Sequence, residues 1–173
     1  MAAESTPFEL AQINIARLKA PLDSPQLKDF SDNLDPVNAI ADAAPGFIWR
    51  LQGEGDDATD LRPYEDEWII VNMSVWRDPE SLTAFMYQGT HRELLARRRE
   101  FFERLDEAVT ALWWVPAGHL PTVAEARERL DHLRAHGPHP YAFTLRTTFP
   151  AQETAPLAPE RADRETPQDA TQG

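Results

Sequence analysis

The chain has 173 residues, of which 42% are hydrophobic, enough to bury the core of one domain. It carries 29 acidic and 17 basic residues, and the formal net charge of −12 disfavours nucleic acid or an anionic membrane as its partner. There is no cysteine, which excludes disulfides, zinc–thiolate sites, iron–sulfur clusters and thiol catalysis.

Targeting and membrane signals are not visible in the sequence. No apolar run approaches the ~20 residues that a membrane helix needs. The first ten residues have neither the basic region nor the apolar region of a secretory signal. We therefore expect a cytoplasmic protein with no membrane partner.

The first third of the chain predicts a short arm, a strand and a broken helix. Residues 1–7 are small and polar, whereas residues 8–15 alternate as a strand does. The Ser-Pro pair at residues 24–25 predicts a helix start. Pro36 interrupts the apolar face that follows, so we predict two helical pieces, the second capped by Asp35.

Two further strands flank an acidic segment. Residues 47–52 predict the second strand and residues 68–76 the third. Residues 53–67 between them are acidic and contain two glycines and a proline, which is typical of a solvated surface loop.

Two capped helices follow the third strand. The Asp-Pro pair at residues 78–79 predicts the first, and residues 88–89 break it. Thr90 and Glu93 have the spacing of a capping box, from which we predict a second helix reaching about Leu105.

The last third predicts one strand, one helix and another strand. Residues 111–115 are a short apolar strand, and a capping box opens a helix over residues 122–135. Residues 141–147 are predicted as the last strand of a single domain at residues 8–149. Residues 150–173 are rich in Pro, Asp, Glu and Thr, so we expect a disordered tail.

This order predicts an α+β fold, a ferredoxin-like antiparallel sheet with helices on one face. Alternation gives the sheet an aliphatic face and a face that combines aromatic, amide and hydroxyl groups. The aliphatic face comprises Ala11, Ile13, Ile15, Ile69, Val71, Met73 and Val75; the mixed face comprises Leu10, Gln12, Asn14, Ile48, Arg50, Trp68, Ile70, Asn72, Ser74 and Trp76.

We expect the helices to cover the aliphatic face. The mixed face would then be too large an apolar patch for a monomer. A second copy packing sheet to sheet would close a dimeric α/β barrel by two-fold symmetry. The sequence therefore predicts a homodimer with a pocket lined by the mixed face.

Several stretches resemble a bacterial domain family of unknown function in the dimeric α/β-barrel superfamily. They are PVNAIADAAPGFIWRL, VNMSVWRDPESLTAFMYQGTHRELLARRREFF, LWWVPAGHLPTVAEARERLDHLRAHGP and AFTL, and together they cover nearly all of residues 8–147. The wider superfamily resembles antibiotic-biosynthesis monooxygenases, spheroidene monooxygenase and haem-degrading enzymes. The resemblance implies a ferredoxin-like dimer with pockets, and no single reaction.

The haem-degrading branch implies an Asn on the first strand, a Trp on the helix after the third strand and a haem-ligating His further along. Asn14 lies in a comparable strand, but Phe85 stands where the Trp is expected and Leu95 where the His is expected. His91 lies one turn before Leu95 and remains a candidate ligand for a differently placed haem.

Two residues are candidates for charged or proton-transfer chemistry. His91 is predicted near the inward stripe of its helix, where it would serve as a haem ligand or general base, or pack as an ordinary first-turn histidine. Arg50 on the mixed face would orient an anionic group of a ligand, or tie the sheet together through an acidic partner.

The remaining candidates are neutral. Asn14, Asn72 and Ser74 would hydrogen-bond a substrate carbonyl or O₂, or satisfy one another and water. Trp76 and Trp114 are predicted to line the substrate pocket, although tryptophans are more often core residues. We expect no metal site.

Three functions remain open from the sequence. The first is a monooxygenase-like enzyme acting on a small hydrophobic molecule, with His91, Arg50, Asn72 and Asn14 as candidate catalytic residues. The second is a non-catalytic protein that binds haem or another hydrophobic ligand. The third is a structural or regulatory dimer.

Overall fold

The computed structural model describes residues 7–52 and 66–151. The arm, most of the acidic loop and most of the tail predicted from the sequence lie outside the described residues. The strands are β1 (Phe8–Leu18), β2 (Phe47–Arg50), β3 (Ile69–Trp76), β4 (Phe102–Glu103) and β5 (Thr110–Pro116). The helices are α1 (Lys28–Ala43), α2 (Pro79–Met86), α3 (Gly89–Ala96), α4 (Arg98–Phe101) and α5 (Val123–His136).

β1 is the central strand of an antiparallel sheet. β3 pairs with one edge of β1, and β2 lies outside β3. β5 pairs with the first part of β1, and the two-residue β4 pairs with its end. This strand order and the α+β layering confirm the predicted ferredoxin-like fold.

The two faces of β1 and β3 are those predicted, but α1, α2 and α3 lie on the mixed face and not on the aliphatic face as expected. The aliphatic face packs against α5 through Ala126, Leu130 and Leu133. The mixed face meets α1, α2 and α3 of the same chain. The handedness of the crossover from β1 to β2 decides on which face of the sheet α1 lies. The alternation of polar and apolar residues within a strand does not carry that information.

α5 and the earlier helices cover opposite faces of the described sheet. Ala11, Ile13, Met73 and Val75 on the aliphatic face are at most 1% exposed in the single chain. The uncovered apolar face that motivated a sheet-to-sheet barrel is therefore absent from the described part of the sheet. The homodimer itself stays a prediction.

Two residues assigned to the mixed face by alternation lie elsewhere. The register between β2 and β3 shifts between Phe47 and Trp49, and Ile48 at this irregularity is 41% exposed. Trp68 lies just before β3 and is 39% exposed. A bulge inserts one residue into a strand and so disturbs strict alternation.

α1 is one helix, and the predicted break at Pro36 is wrong. Pro36 lies inside the helix on its exposed side. Its missing N–H leaves one carbonyl unpaired, and water can reach a carbonyl there. At the helix start, the Ser24 hydroxyl donates to the Pro21 carbonyl at 2.5 Å and caps nothing, and residues 25–27 form a 3₁₀ turn.

The helix predicted to reach Leu105 is shorter. Gln88, not Thr90, caps α3, because its side chain accepts the His91 backbone N–H. The chain becomes extended at Phe102, where β4 pairs with β1. Long-range pairing thus replaces the helical hydrogen bonds that local propensity favoured.

The other caps are confirmed, and the last predicted strand is wrong. Asp78 accepts the Ser81 N–H at 2.8 Å, and Thr122 accepts the Glu125 N–H at 3.2 Å. Residues 141–147 form only isolated bridges, of which one joins Phe143 to Leu112 of β5.

Candidate functional site

A cavity of about 250 Å³ lies between the mixed face and helices α1, α2 and α3. Most of its lining is apolar, and the polar side chains come mainly from the sheet and from α1. The apolar lining includes Phe30, Leu34, Val37, Phe47, Ile70, Trp76, Leu82, Phe85, Met86, Leu94, Leu95, Phe102 and Leu112; the polar lining comprises Gln12, Asn14, Asn33, Asn38, Arg50, Asn72, Ser74, His91, Arg98 and Thr110. Concave apolar sites with a few polar groups are typical of small-molecule binding.

Three side chains of the sheet form a directed chain of hydrogen bonds. Trp76 Nε1 donates to Ser74 Oγ at 2.9 Å, and Ser74 Oγ donates to Gln12 Oε1 at 2.7 Å. An indole N–H can only donate, so the hydroxyl accepts it and passes its own proton on. The Gln12 amide nitrogen has no partner among the described residues, which leaves a donor on the cavity lining.

β1 and β3 place two more amides on the cavity. Asn14 and Asn72 face each other across the two strands. Asn14 Nδ2 donates to Thr110 Oγ1 of β5 at 2.6 Å, which fixes the orientation of the Asn14 side-chain amide. The Asn72 side chain is exposed toward the cavity and has no hydrogen-bond partner within the described ranges.

His91 reaches the cavity from the first turn of α3. Its Nδ1 lies 3.0 Å from the Met86 carbonyl oxygen, and its ring lies 4.9 Å from the Phe85 ring. A carbonyl only accepts, so Nδ1 carries the proton and Nε2 keeps a lone pair. Burial lowers the pKa of His91, and the Met86 carbonyl opposes that shift more weakly. The imidazole is therefore neutral near pH 7.

Arg50 lies at the β2 edge of the cavity and has an acidic partner. Its Nε lies 2.8 Å from Asp42 Oδ1, and its Nη2 lies 3.3 Å from Asp42 Oδ2. The Arg50 side chain is 12% exposed. This bidentate pair ties β2 to α1 and offsets the charge of the guanidinium.

The structure brings six of the seven predicted site residues together on one cavity. His91, Arg50, Asn72, Asn14, Ser74 and Trp76 all belong to its lining. Trp114 does not. Its Nε1 donates to the Phe149 carbonyl at 2.8 Å, and its ring packs near Phe143.

Sequence reasoning missed several polar lining residues. Gln12 was placed on the mixed face but not chosen as a site residue, although it shares a face with Asn14. Asn33 and Asn38 lie on the side of α1 that faces the cavity. Their position beside the apolar stripe of the helix is the sequence pattern that could have predicted this. Thr110 precedes the predicted fourth strand, and only the β1–β5 register places it opposite Asn14.

Two kinds of feature are absent from the described residues. Among the described residues, no group of three or more His, Cys, Asp or Glu side chains is arranged to hold a metal ion. In the same part of the chain, no helix is both long and apolar enough to cross a membrane.

Several solved structures are similar to this chain. The cofactor-independent oxygenase SnoaB of Streptomyces nogalater is 17% identical with a TM-score of 0.44, and the match covers 66% of this chain and 98% of SnoaB. Rv0793 of Mycobacterium tuberculosis is 16% identical with a TM-score of 0.43, and the match covers 66% of this chain and 98% of Rv0793. NE2512 of Nitrosomonas europaea, a protein of unknown function, is 15% identical with a TM-score of 0.41, and the match covers 68% of this chain and 99% of NE2512. We draw no functional conclusion from likenesses at this level.

No curated protein matches the chain. A family model described as a domain of unknown function, DUF3291, matches residues 9–158. This match includes all the described strands and helices except the first residue of β1, and all the described lining residues of the cavity. The protein therefore belongs to the DUF3291 family of domains of unknown function.

Proposed function

We propose that the protein is a small-molecule enzyme of the monooxygenase type, acting on an aromatic molecule inside the cavity. One observation supports this above all others. A neutral imidazole, held by its Nδ1–H, lines a mainly apolar cavity, and its Nε2 has no hydrogen-bond partner among the described residues. A general base needs this combination of protonation state, fixed orientation and access to the substrate.

In this proposal His91 removes a proton from a weakly acidic C–H or O–H group of the substrate. The substrate anion then supplies the electrons that reduce O₂, so that R₂CH₂ and O₂ give R₂C=O and H₂O. The Gln12 amide N–H and the Asn72 side chain would stabilise the substrate oxyanion. The apolar walls would exclude water from the anion.

The size of the cavity supports a ligand of two or three rings. Sites for drug-sized ligands are roughly 300–1,000 Å³, whereas this cavity has about 250 Å³. A tetrapyrrole would need α1 and α3 to move away from the sheet. The His91 imidazole has the carbonyl partner that metal-ligating histidines often have, but the volume of the cavity does not fit haem.

Oxygen uptake with anthrone tests the proposal. Anthrone has an acidic methylene group, and the expected product is anthraquinone with one O₂ consumed per substrate. His91→Gln keeps a polar side chain but removes the base, so we expect the rate to fall by about 10²–10⁴. The matched control is His119→Gln, because His119 lies outside the cavity beside Glu125.

An unchanged rate in His91→Gln would refute the role of His91 as the base. Binding of anthrone without oxygen uptake in the wild-type protein would favour the non-catalytic ligand-binding alternative instead. A haemin titration separates the haem alternative, which requires a Soret shift that His91→Ala abolishes.

The predicted homodimer is a separate part of the proposal. Its support is the sequence resemblance to the dimeric α/β-barrel superfamily. Light scattering at micromolar concentration should give twice the chain mass. A monomer would remove the dimer and the structural-dimer function, and it would leave the intramolecular cavity untouched.

A further inference from the structure

The cavity lining has a charge composition opposite to that of the protein. The chain has 29 acidic and 17 basic residues. Among the described residues, no aspartate or glutamate belongs to the lining of this cavity, which includes two arginines and one histidine. Since His91 is neutral near pH 7, the arginines are the only charged groups on the lining as the structure describes it.

The two arginines differ in their partners, because only Arg50 pairs with a described carboxylate. Arg50 is bound in a bidentate pair by Asp42. Arg98, the first residue of α4, is exposed, and its Nη1 donates to the Leu95 carbonyl at 2.9 Å. Arg98 forms no ion pair with any residue in the described ranges. A guanidinium has five N–H donors, so most of those of Arg98 remain available.

The neighbouring arginine shows that acidic partners are within reach of this segment. Arg97 pairs with Asp29 at 2.9 Å and with Glu100 at 2.7 Å. These hydrogen bonds raise the pKa of Arg97 well above its usual range, and the bond to Glu100 has the larger effect. The adjacent Arg98 lines the cavity and pairs with none of the carboxylates in the described part of the chain.

We infer that the natural ligand is an amphipathic carboxylate, with its rings in the cavity and its carboxylate on Arg98. A guanidinium binds a carboxylate through two parallel hydrogen bonds, which fixes the ligand as well as attracting it. In a protein of net charge −12, an anion gains little from long-range attraction, so a local cation is needed. This inference rests on the proposed function only in taking the same cavity as the substrate site.

A matched pair of probes tests it, with tryptophan fluorescence as the readout because Trp76 lines the cavity. The probes are 2-naphthoate and its neutral methyl ester. We expect the wild-type protein to bind naphthoate about tenfold more tightly than the ester at low salt, and this preference should shrink at 0.5 M salt.

Arg98→Gln should remove the preference for naphthoate and leave the affinity for the ester within twofold. Arg98→Lys should keep part of it, because the charge remains without the paired donors. Arg99→Gln is the control, since it makes the same charge change at an exposed residue outside the lining.

Equal binding of naphthoate and ester by the wild-type protein would overturn the inference and leave the proposed function standing. An equal effect of Arg98→Gln and Arg99→Gln would also overturn it, because general charge would then explain the preference. If neither probe binds at millimolar concentration, the cavity is not a site for such ligands, and the proposed function fails with the inference.

Discussion

The hydrogen-bond chain on the mixed face gives a stability prediction that can be worked out from the structure. Ser74→Ala removes the hydroxyl that joins Trp76 Nε1 to Gln12 Oε1. Ser74 is 6% exposed and Trp76 is 1% exposed. The substitution therefore leaves a buried indole N–H without its acceptor.

The size of the stability loss depends on which of the two groups left without a partner water can reach. A buried polar group left without a partner costs about 1–3 kcal/mol. Gln12 is 9% exposed, whereas Trp76 is 1% exposed, so water can replace the lost hydroxyl at Gln12 and the cost there is small. The Trp76 N–H is the costly group, and we expect Ser74→Ala to lower the free energy of unfolding by about 1–3 kcal/mol.

Urea denaturation of four proteins measures this loss. The proteins are wild type, Ser74→Ala, Trp76→Phe and the double variant. Trp76→Phe removes the N–H together with part of the ring, so adding Ser74→Ala to it should cost about 1 kcal/mol less than in the wild-type background. Ser24→Ala is the control, because its hydroxyl bonds an exposed carbonyl.

The reasoning would be refuted if Ser74→Ala and Ser24→Ala lowered the urea midpoint equally at the same m value. It would also be refuted by strict additivity of Ser74→Ala and Trp76→Phe. Either result would mean that the indole N–H loses nothing when the hydroxyl is removed.

Two further predictions concern pH and a glycine. Burial lowers the pKa of His91 and of His132 in the folded state, so the unfolded state binds protons more readily, and stability should fall as the pH drops below about 6.5. In His132→Gln, the midpoint of urea denaturation should therefore depend less on pH between pH 7.5 and 5.5. An unchanged pH dependence would contradict this prediction. Gly46→Ala should cost more than about 2 kcal/mol, because Gly46 has a φ of 82° and a Cβ there would lie 2.2 Å from Ser81 Oγ. Gly118→Ala, with a φ of 87° and open space, should cost only about 1 kcal/mol, and equal losses would disprove the steric argument.

Local patterns were sufficient for most elements of this fold. The period of two predicts β1 and β3 because successive side chains of a strand point to opposite faces. Asp78 and Thr122 cap their helices as predicted, since a cap needs only a side-chain oxygen and an N–H three residues on. The helix break predicted at residues 88–89 was enough to place His91 at a helix start, although Gln88 and not Thr90 is the cap.

Local patterns failed where distant parts of the chain decide the outcome. α1 continues through Pro36, and the chain becomes extended at Phe102 because β1 pairs with it there. Trp114 bonds the Phe149 carbonyl, 35 residues away, and so leaves the cavity lining. No periodicity within one element carries that information.

The sequence by itself determined that the sheet has an aliphatic face and a mixed face, and which residues of β1 and β3 belong to each. Only the tertiary structure decided that α5 covers the aliphatic face and that α1, α2 and α3 enclose the mixed face as a cavity within one chain. Alternation fixes which side chains share a face, because it is a property of the strand alone. The side on which a helix packs is set by the hand of the crossover and by long-range burial, and neither is recorded in the alternation.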